Sequence, residues 1–522
     1  MFSDKSSRRD TFIALQDAIQ RPPKRLIYGF LGLLVLYVIV RGVVGAAARP
    51  FWYDELLTLV IAGQPTVREM WNAVTRGLDA MPPGLYLVER AALGFLKKKE
   101  IALRLPSILA FPCTLICVFV YAKKRSGEVV AFLCVLLLLT TSLFHTYLIE
   151  ARPYGMLMAC IAFALVCYQR LPSLRWAALL GISLLLAESF HYYAVFAMIP
   201  FGLAEAVLLL TTRRFRWPAW MALACGALPL IVFWPLLWKI KTNFGDVALS
   251  RPAFSVLPGF YGSYFFCHPA SGVALAAVAA AAIVWWRFWP RTESSRQTHG
   301  NDVDLAEGTL LLSLIAQPVI AFVLIRQTHG SFFSRYGIAA TIGIALGLAC
   351  ALSISRPRAI AAFGLFVLTS VAVRELGFWR RTAGDPFAPG YSAGQVEKLV
   401  ERAGHGDLPV AVGQVLTYAP LAYYSPPGLA NKLVYMVNKG KDLNYGATDS
   451  LVKAGSSFPE IFPTKTVDYS EFAAPHREFL LYSEAEDSWQ DYLSHEAASM
   501  QLLAAEGDRR VYLVKMKERS AR

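Results

Sequence analysis

Charged side chains are scarce in this sequence. Only 17% of its 522 residues are Asp, Glu, Lys or Arg, whereas 56% are hydrophobic. Soluble globular chains carry about 25% charged residues, so the composition excludes an ordinary soluble protein. Several apolar runs reach the length of about 20 residues that a helix needs to cross the hydrocarbon core of a bilayer. The sequence therefore predicts a multi-pass membrane protein.

Cysteine motifs and a cleavable signal are also missing. The eight cysteines include no CxxC pair, and residues 351–522 contain no cysteine, which argues against a disulfide framework or a thiolate metal site. Residues 1–25 lack a small-residue cleavage site behind a short apolar core, so they predict a cytoplasmic tail. The net charge of +14 comes largely from short basic runs between apolar segments. Such runs indicate loop orientation, and no nucleic-acid partner is expected.

The hydrophobic pattern predicts an all-α membrane domain over residues 26–375 with about eleven transmembrane helices. The predicted spans lie near 26–46, 105–122, 128–145, 153–169, 174–190, 193–211, 218–238, 270–289, 308–325, 336–354 and 358–375. With a cytoplasmic N-terminus every inside loop is basic, as the positive-inside rule requires. The first outer loop, 47–104, and the C-terminal residues then lie outside the membrane. Residues 66–78 and 82–100 are too short or too charged to span and predict helices lying in the outer interface.

Residues 376–522 have a different composition. Four short apolar stretches, "LPVAVGQ", "KLVYMVN", "EFLLYSE" and "RVYLVKMK", predict strands, while 416–424 and 486–499 predict helices. Strands that alternate with helices are typical of a small α/β domain. We expect this domain on the extracytoplasmic side.

Polar residues collect at the outer ends of the predicted spans. They are Asp54, Glu55, His145, Glu150, Arg152, Tyr154, His191, Tyr192, Tyr193, Lys239, Lys241, His268, His329, Arg335 and Tyr336. Ionisable groups at membrane depth are costly and usually face a cavity or a pathway. Their location on one side predicts a basin at the outer interface for a charged, amphiphilic substrate.

Each signal also has an ordinary structural interpretation. Asp54 and Glu55 suit a solvated loop, and Trp52 suits an interfacial aromatic belt. Glu150 and Arg152 suit an ion pair at a helix start that begins with Pro153. The "FHYY" run suits an interfacial anchor. The functional interpretation depends on the whole set lying on one side.

The order of several motifs resembles the GT-C glycosyltransferases. "FWYDELLTLVIAG", "DAMPPGLYLVERAALGFL", "ALRLPSILAF", "IEARPYGMLMACIAFAL" and "SRYGIAA" follow one another over residues 26–350, as in the protein O-mannosyltransferase and aminoarabinose-transferase branch, which includes bacterial members. The resemblance implies that the first outer loop, built on juxtamembrane helices, carries a catalytic acid pair facing a lipid-linked sugar. Gly84, which interrupts the usual Pro-Pro-Leu-Tyr run, departs from the family pattern.

The resemblance also implies roles for individual residues. A polyprenyl-phosphate sugar donor would keep its tail in the bilayer of the cytoplasmic membrane, and Asp54 would act as the base for an acceptor hydroxyl, with Glu55 orienting the loop or the acceptor. Candidates for binding the donor phosphate are Arg152 and Arg335, with Lys239 and Lys241 in second rank. Tyr154, His191, Tyr192 and Tyr336 would line the sugar. No cofactor is required, and a divalent cation remains possible.

Two questions stay open from the sequence. Direct displacement predicts inversion at the anomeric carbon, whereas retention would need a second carboxylate, for which Glu150 is the obvious candidate. The alternatives to a transferase are a polyprenyl-linked glycan flippase or transporter, and a ligase or polymerase that uses a diphosphate-linked oligosaccharide. The sugar and the acceptor are not determined.

Overall fold

The computed structural model describes residues 23–77, 79–244, 253–265, 268–288, 305–327, 332–353, 355–383, 393–438, 465–484 and 488–517. Most of the predicted cytoplasmic tail and His329 lie outside these residues. The first part of the chain is helical, with α1 to α17 at Lys24–Ala48, Tyr53–Ala62, Val67–Thr75, Pro83–Phe95, Lys99–Leu138, Ser142–Leu148, Tyr154–Tyr168, Leu174–Phe190, Val195–Thr212, Trp217–Val232, Trp234–Phe244, Leu257–Tyr264, Pro269–Phe288, Leu305–Ile315, Gln317–Gln327, Ala340–Ser353 and Pro357–Arg381. Short 3-10 turns occupy Tyr192–Ala194, Phe254–Val256 and Ser334–Gly337.

Many of these helices are apolar enough to cross a membrane, so the chain is an integral membrane protein. Among the described residues, four helices are long enough by themselves, and up to seven spans result if each of three bent pairs counts as one. The bent pairs are α10 with α11, the turn at Phe254–Val256 and α12 with α13, and α14 with α15; α7 and α16 are shorter apolar helices. The all-α fold class is confirmed, and the count of eleven spans remains a prediction.

Several helix ends differ from the sequence-based bounds. The predicted spans 105–122 and 128–145 form the single run α5, which begins at Lys99 and is interrupted at Gly127, where φ is 78°. Only glycine adopts that conformation without a steric cost. The second span ends at Leu138 because Thr141 caps a new helix, α6, by accepting a hydrogen bond from the Phe144 N–H at 3.3 Å. At the other end of the domain, α17 continues past residue 375 to Arg381.

The segment predicted as the first outer loop folds into three short helices, α2 to α4. Thr66 caps α3 through a reciprocal capping box with Glu69, and Pro83 occupies the first turn of α4, where its missing N–H is harmless. Helix α4 has 13 residues and is about 20 Å long, less than the membrane core of about 30 Å. Its buried residues include Leu85, Glu89 and Ala92. The segment therefore packs as a short helix, as predicted.

The C-terminal part is a six-stranded mixed sheet with short helices. Its strands β1 to β6 are Val410–Val412, Leu433–Val437, Thr466–Asp468, Glu478–Ser483, Ala497–Glu506 and Arg509–Met516, in the spatial order β3-β2-β1-β4-β6-β5. The first four run parallel, whereas β6 pairs antiparallel with β4 and β5 antiparallel with β6. Helices α18 to α22 are Ala393–Ala403, Val415–Tyr424, Pro427–Ala430, Tyr469–Ala473 and Ser488–Glu496. Two strands were not predicted: β3 has three residues, and β5 includes a stretch predicted as the end of a helix.

The sheet buries both faces, and one face meets the membrane domain. Along β1, Val410 and Val412 point to one layer and Ala411 to the other, following the two-residue period of a strand. The layer around Val410 also contains Phe51, Tyr53 and other residues near the start of α2. The C-terminal domain thus packs directly behind the loop that carries Asp54.

Candidate active site

Asp54 lies in the first turn of α2, where the N-terminal end of a helix favours a negative charge. Its side chain is 23% exposed, and its Oδ2 lies 3.8 Å from Arg152 Nη2. Burial raises the pKa of Asp54 above its ordinary value, the neighbouring Asp79 adds to the increase, and Arg152 and Arg335 oppose it. A partly buried carboxylate with a raised pKa is suited to accept a proton.

Arg152 is shared between two carboxylates. Its Nη1 donates to Asp79 Oδ2 at 2.8 Å and its Nη2 to Asp79 Oδ1 at 3.4 Å, so Asp79 holds the guanidinium in a two-pronged pair. Asp79 Oδ2 also accepts from the Tyr86 hydroxyl at 2.9 Å. The pair is buried. Arg152 is therefore fixed in place beside Asp54, with two of its four side-chain hydrogen bonds going to Asp79.

Glu55 has a different environment from its neighbour. It is fully buried, and its carboxylate receives both Arg104 Nε at 2.7 Å and Arg104 Nη2 at 2.6 Å. The backbone N–H of Ala151 donates to Glu55 Oε1 at 2.8 Å. Arg104 in turn donates to the carbonyls of Ala46 and Pro50, just before α2. Glu55 thus joins α2 to α5 and to the loop that carries Arg152.

Arg335 reaches the same place from the distant turn Ser334–Gly337. It stacks on Phe333 at 4.4 Å, and the hydroxyls of Tyr147 and Tyr336 hydrogen-bond to it. Its charge lowers the pKa of Asp54. Within the described part of the chain, Arg335 Nε is buried and has no hydrogen-bond acceptor. Arg335 is thus a cation beside Asp54 with an unused donor.

Aromatic side chains form a wall around these charges. Tyr154 lies with its ring 4.3 Å from that of Tyr147 and 5.2 Å from that of His191. Tyr336 is 5.8 Å from His191 and 4.3 Å from Tyr193. Rings of this kind suit the apolar face of a sugar, with hydroxyls for its polar edge.

His191 is a neutral donor in this wall. Burial, followed by the charges of Arg152 and Arg335, lowers the pKa of His191 to about 3. Its Nδ1 accepts from the Tyr193 N–H at 3.0 Å, so the ring proton resides on Nε2. Nε2 has no hydrogen-bond partner among the described residues, and the same holds for the Tyr192 hydroxyl. Both groups are available to polar atoms of a ligand.

Three predicted site residues lie outside the cluster. Glu150 is buried and pairs with Arg49 at 2.9 Å, so the expected Glu150–Arg152 pair does not form. Lys239 and Lys241 are exposed on α11, and no described contact joins either of them to Asp54 or Arg152. The cluster therefore consists of Asp54, Arg152, Arg335 and the aromatic residues.

Two residues that hold the neighbours of Asp54 in place were missed in the sequence: Asp79 binds Arg152, and Arg104 binds Glu55. Asp79 stands between the two predicted interfacial segments and just before Pro82-Pro83, a place that already predicted exposure at the outer face. Arg104 is the last residue of the predicted first outer loop and lies in the motif "ALRLPSILAF", but nothing in the sequence indicated that it pairs with Glu55. Among the described residues, no three His, Cys, Asp or Glu side chains form a group suited to a metal ion.

The comparisons with known proteins give a family-model match over part of the chain and a shared fold. Residues 80–238 match the sequence model of the dolichyl-phosphate-mannose-protein mannosyltransferase family. No curated protein matches the chain. The crystal structure of ArnT from Cupriavidus metallidurans in the apo state is 16% identical, with 93% of this chain and 98% of that chain covered and a TM-score of 0.55. This likeness shows a shared fold.

Two further solved structures are similar at a lower level. ArnT from Cupriavidus metallidurans bound to undecaprenyl phosphate is 14% identical, with the same coverage of 93% and 98% and a TM-score of 0.42. The archaeal oligosaccharyltransferase AglB from Archaeoglobus fulgidus, in complex with an inhibitory peptide and a dolichol-phosphate, is 11% identical and has a TM-score of 0.44. The match covers 94% of this chain and 75% of AglB.

Proposed function

We propose that this chain, which has the fold of the GT-C integral-membrane glycosyltransferases, transfers a sugar from a polyprenyl-phosphate donor to a hydroxyl acceptor at the outer face of the bacterial cytoplasmic membrane. The observation that carries the proposal is the cluster of Asp54, Arg152 and Arg335, in which a base and two cations from distant parts of the chain meet at one end of the membrane domain. The family matched by residues 80–238 takes its name from a lipid-phosphate sugar donor.

In the proposed reaction Asp54 removes the proton of the acceptor hydroxyl. The acceptor oxygen then attacks the anomeric carbon from the side opposite the phosphate. The bond between the anomeric carbon and the phosphate oxygen breaks, and its electron pair leaves with the polyprenyl monophosphate. The proton remains on Asp54, so no metal or nucleotide is required for the balance of atoms.

The two arginines have different proposed roles. Arg335 has an unpaired donor, Nε, and is the stronger candidate for direct contact with the leaving phosphate. Arg152 is held by Asp79 and sets the charge next to Asp54. His191 Nε2 and the Tyr192 hydroxyl are the proposed donors to the sugar or to a phosphate oxygen.

Inversion is favoured by the state of the other carboxylates. A retaining reaction needs a second, free carboxylate nucleophile. Glu150 is paired with Arg49, Glu55 is enclosed by Arg104, and Asp79 is occupied by Arg152 and Tyr86. Glu89 and Glu188 are fully buried, whereas the side chain of Asp54 is partly exposed. Asp54 is therefore the proposed single base.

The test is the substitution Asp54→Asn in cells, with mass spectrometry of lipid extracts and envelope glycans. We expect the glycan product to fall at least about hundredfold, because general-base catalysis contributes about 10²–10⁴ in rate, and the polyprenyl-phosphate sugar to accumulate. Asp491→Asn, which changes an exposed residue of α22, is the matched control.

A normal amount of product in the Asp54→Asn strain, together with its loss in a strain without the gene, would reject Asp54 as the base and favour a transporter. Comparison of the anomeric configuration of donor and product by NMR tests inversion.

A further inference from the structure

We propose that a second pocket, separate from the candidate active site, binds the phosphate of an anionic membrane lipid. The pocket lies between α1, α6 and α17, and its volume is about 600 Å³. Asp54, Arg152 and Arg335 do not line it. The proposal does not depend on the transfer reaction.

The lining of the pocket is strongly cationic. Four arginines contribute to it: Arg41, Arg49, Arg374 and Arg381. No carboxylate is among the lining residues in the described part of the chain. The nearby acids are Glu375, which pairs with Arg41, and Glu150, which pairs with Arg49. Four guanidinium groups against two carboxylates leave an excess of positive charge.

Arg41 is the central group of this pocket. It is 5% exposed, its Nε donates to Glu375 Oε2 at 2.7 Å, and its guanidinium lies 4.1 Å from the ring centre of Phe378. Its Nη1 is buried and has no hydrogen-bond partner among the described residues. A buried donor without an acceptor is costly, and a guanidinium whose Nη1 is unused is suited to a phosphate oxygen. Thr146 and Thr382, also in the lining, add hydroxyl groups.

The location of the pocket favours a lipid over a free anion. Helices α1 and α17 are two of the four helices long enough to span a membrane. The pocket lies at their C-terminal ends, on the side of α2 and the C-terminal domain. Toward the middle of α17, one face exposes the apolar side chains Phe366 and Val373, about two turns apart, and Val373 also lines the pocket. Acyl chains can lie along this face of α17 while the phosphate reaches the arginines.

The experiment measures lipid retention by the purified full chain. The protein is delipidated in detergent, offered phosphatidic acid or phosphatidylcholine, and examined by native mass spectrometry. Two variants alter the pocket. Arg381→Gln removes one positive charge, and the double variant Arg41→Gln with Glu375→Gln removes the unused Nη1 donor together with its paired carboxylate, at unchanged net charge. The control is Arg25→Gln, an exposed arginine at the opposite end of α1.

We expect the wild type to retain phosphatidic acid at least tenfold better than phosphatidylcholine, and both pocket variants to lose that preference while Arg25→Gln keeps it. Retention unchanged in both variants would overturn the proposal. Equal loss in Arg25→Gln would also overturn it, because the effect would then be one of net charge. Competition by inorganic phosphate at the lipid's own concentration would reject a lipid ligand in favour of a free anion.

Discussion

Around Asp54, neighbouring charges act in opposite directions on one carboxyl group. Burial and Asp79 raise its pKa, while Arg152 and Arg335 lower it. A base with a raised pKa is a better proton acceptor but is ionised over a narrower range of pH. Asp79 and Arg152 therefore shift, in opposite directions, the pH at which the Asp54 carboxyl group ionises.

The substitution Asp79→Asn should move the acidic limb of kcat/KM to lower pH. It removes a negative charge that raises the pKa of Asp54 and frees Arg152 to pair with Asp54, and both changes lower that pKa. Because the base acts when ionised, activity then persists at more acidic pH. The plateau rate should fall about tenfold, since Arg152 loses the partner that fixes it.

The measurement is a pH profile of initial rates for wild type, Asp79→Asn and the exposed control Asp491→Asn. An acidic limb that stays at the same pH in Asp79→Asn would mean that Asp54 is not the group titrating in it.

Glu55→Gln should act on stability first, in contrast to Asp54→Asn. The change leaves Arg104, which is fully buried, without its carboxylate partner. Loss of one member of a buried ion pair costs about 3–5 kcal/mol, so the thermal unfolding midpoint in detergent should fall clearly. Asp54→Asn, at a partly exposed position, should leave the midpoint near that of the wild type.

Comparison of Glu55→Gln with Asp54→Asn distinguishes a structural role of Glu55 from a role in the reaction. An unfolding midpoint equal to the wild type in Glu55→Gln, combined with lost turnover, would identify Glu55 as a reacting group.

At the scale of elements, the site depends on how closely α4 approaches the end of α8. A Cβ atom built on Gly84 would lie 2.4 Å from the backbone oxygen of Ser189. That contact accounts for a glycine at the position where the sequence departs from its family pattern. Helix α4 also carries Tyr86, whose hydroxyl donates to Asp79. A shift of α4 would therefore move a hydrogen-bond donor of Asp79, which in turn holds Arg152.

Gly84→Ala should therefore lower both stability and rate. Overpacking of this kind costs about 1–3 kcal/mol, and displacement of α4 weakens the hold of Tyr86 on Asp79. The matched control is Gly94→Ala in the same helix, where an added Cβ meets no atom within 4 Å and alanine should be neutral or stabilising.

Thermal unfolding and initial rates of the two variants decide the matter. Equal behaviour of Gly84→Ala and Gly94→Ala would show that α4 can shift without disturbing the cluster.

At the scale of the whole molecule, the C-terminal domain packs behind the segment that carries Asp54. The Phe51 N–H donates to the Tyr424 hydroxyl at 2.8 Å, and the rings of Phe51 and Tyr423 lie 6.3 Å apart. Phe51 is buried in one apolar cluster with residues of α19 and β1. Removing this support should loosen the start of α2, where Asp54 lies.

Tyr424→Ala should thus lower kcat about tenfold or more, because small misplacements of a catalytic group are costly, while the C-terminal domain itself stays folded. Leu416→Ala is the control: Leu416 lies on the same helix, α19, but is 43% exposed. Initial rates and the near-UV circular dichroism of both variants test the prediction. Wild-type turnover in Tyr424→Ala would make the domain a cap without influence on the site.

The sequence determined the features that depend on local composition. Apolar runs predicted the helical membrane domain, because their burial in lipid does not depend on which other segments they contact. The order of the motifs predicted a resemblance to the GT-C glycosyltransferases, and the ArnT-like fold and the family match bear it out. Strands β1, β2, β4 and β6 followed from short apolar stretches. The short helices Val67–Thr75 and Pro83–Phe95 followed from the interrupted hydrophobicity of their segment.

Only the tertiary structure decided which charges meet. Asp79 and Arg152 are 73 positions apart along the chain, and Arg104 and Glu55 are 49 apart, so no local pattern could pair them. The adjacent residues Asp54 and Glu55 look equivalent in the sequence, yet successive helix positions point in different directions. One therefore faces the cluster and the other is enclosed by Arg104. Glu150 was expected to pair with the nearby Arg152, but packing of α1 against its loop brought Arg49 to it instead.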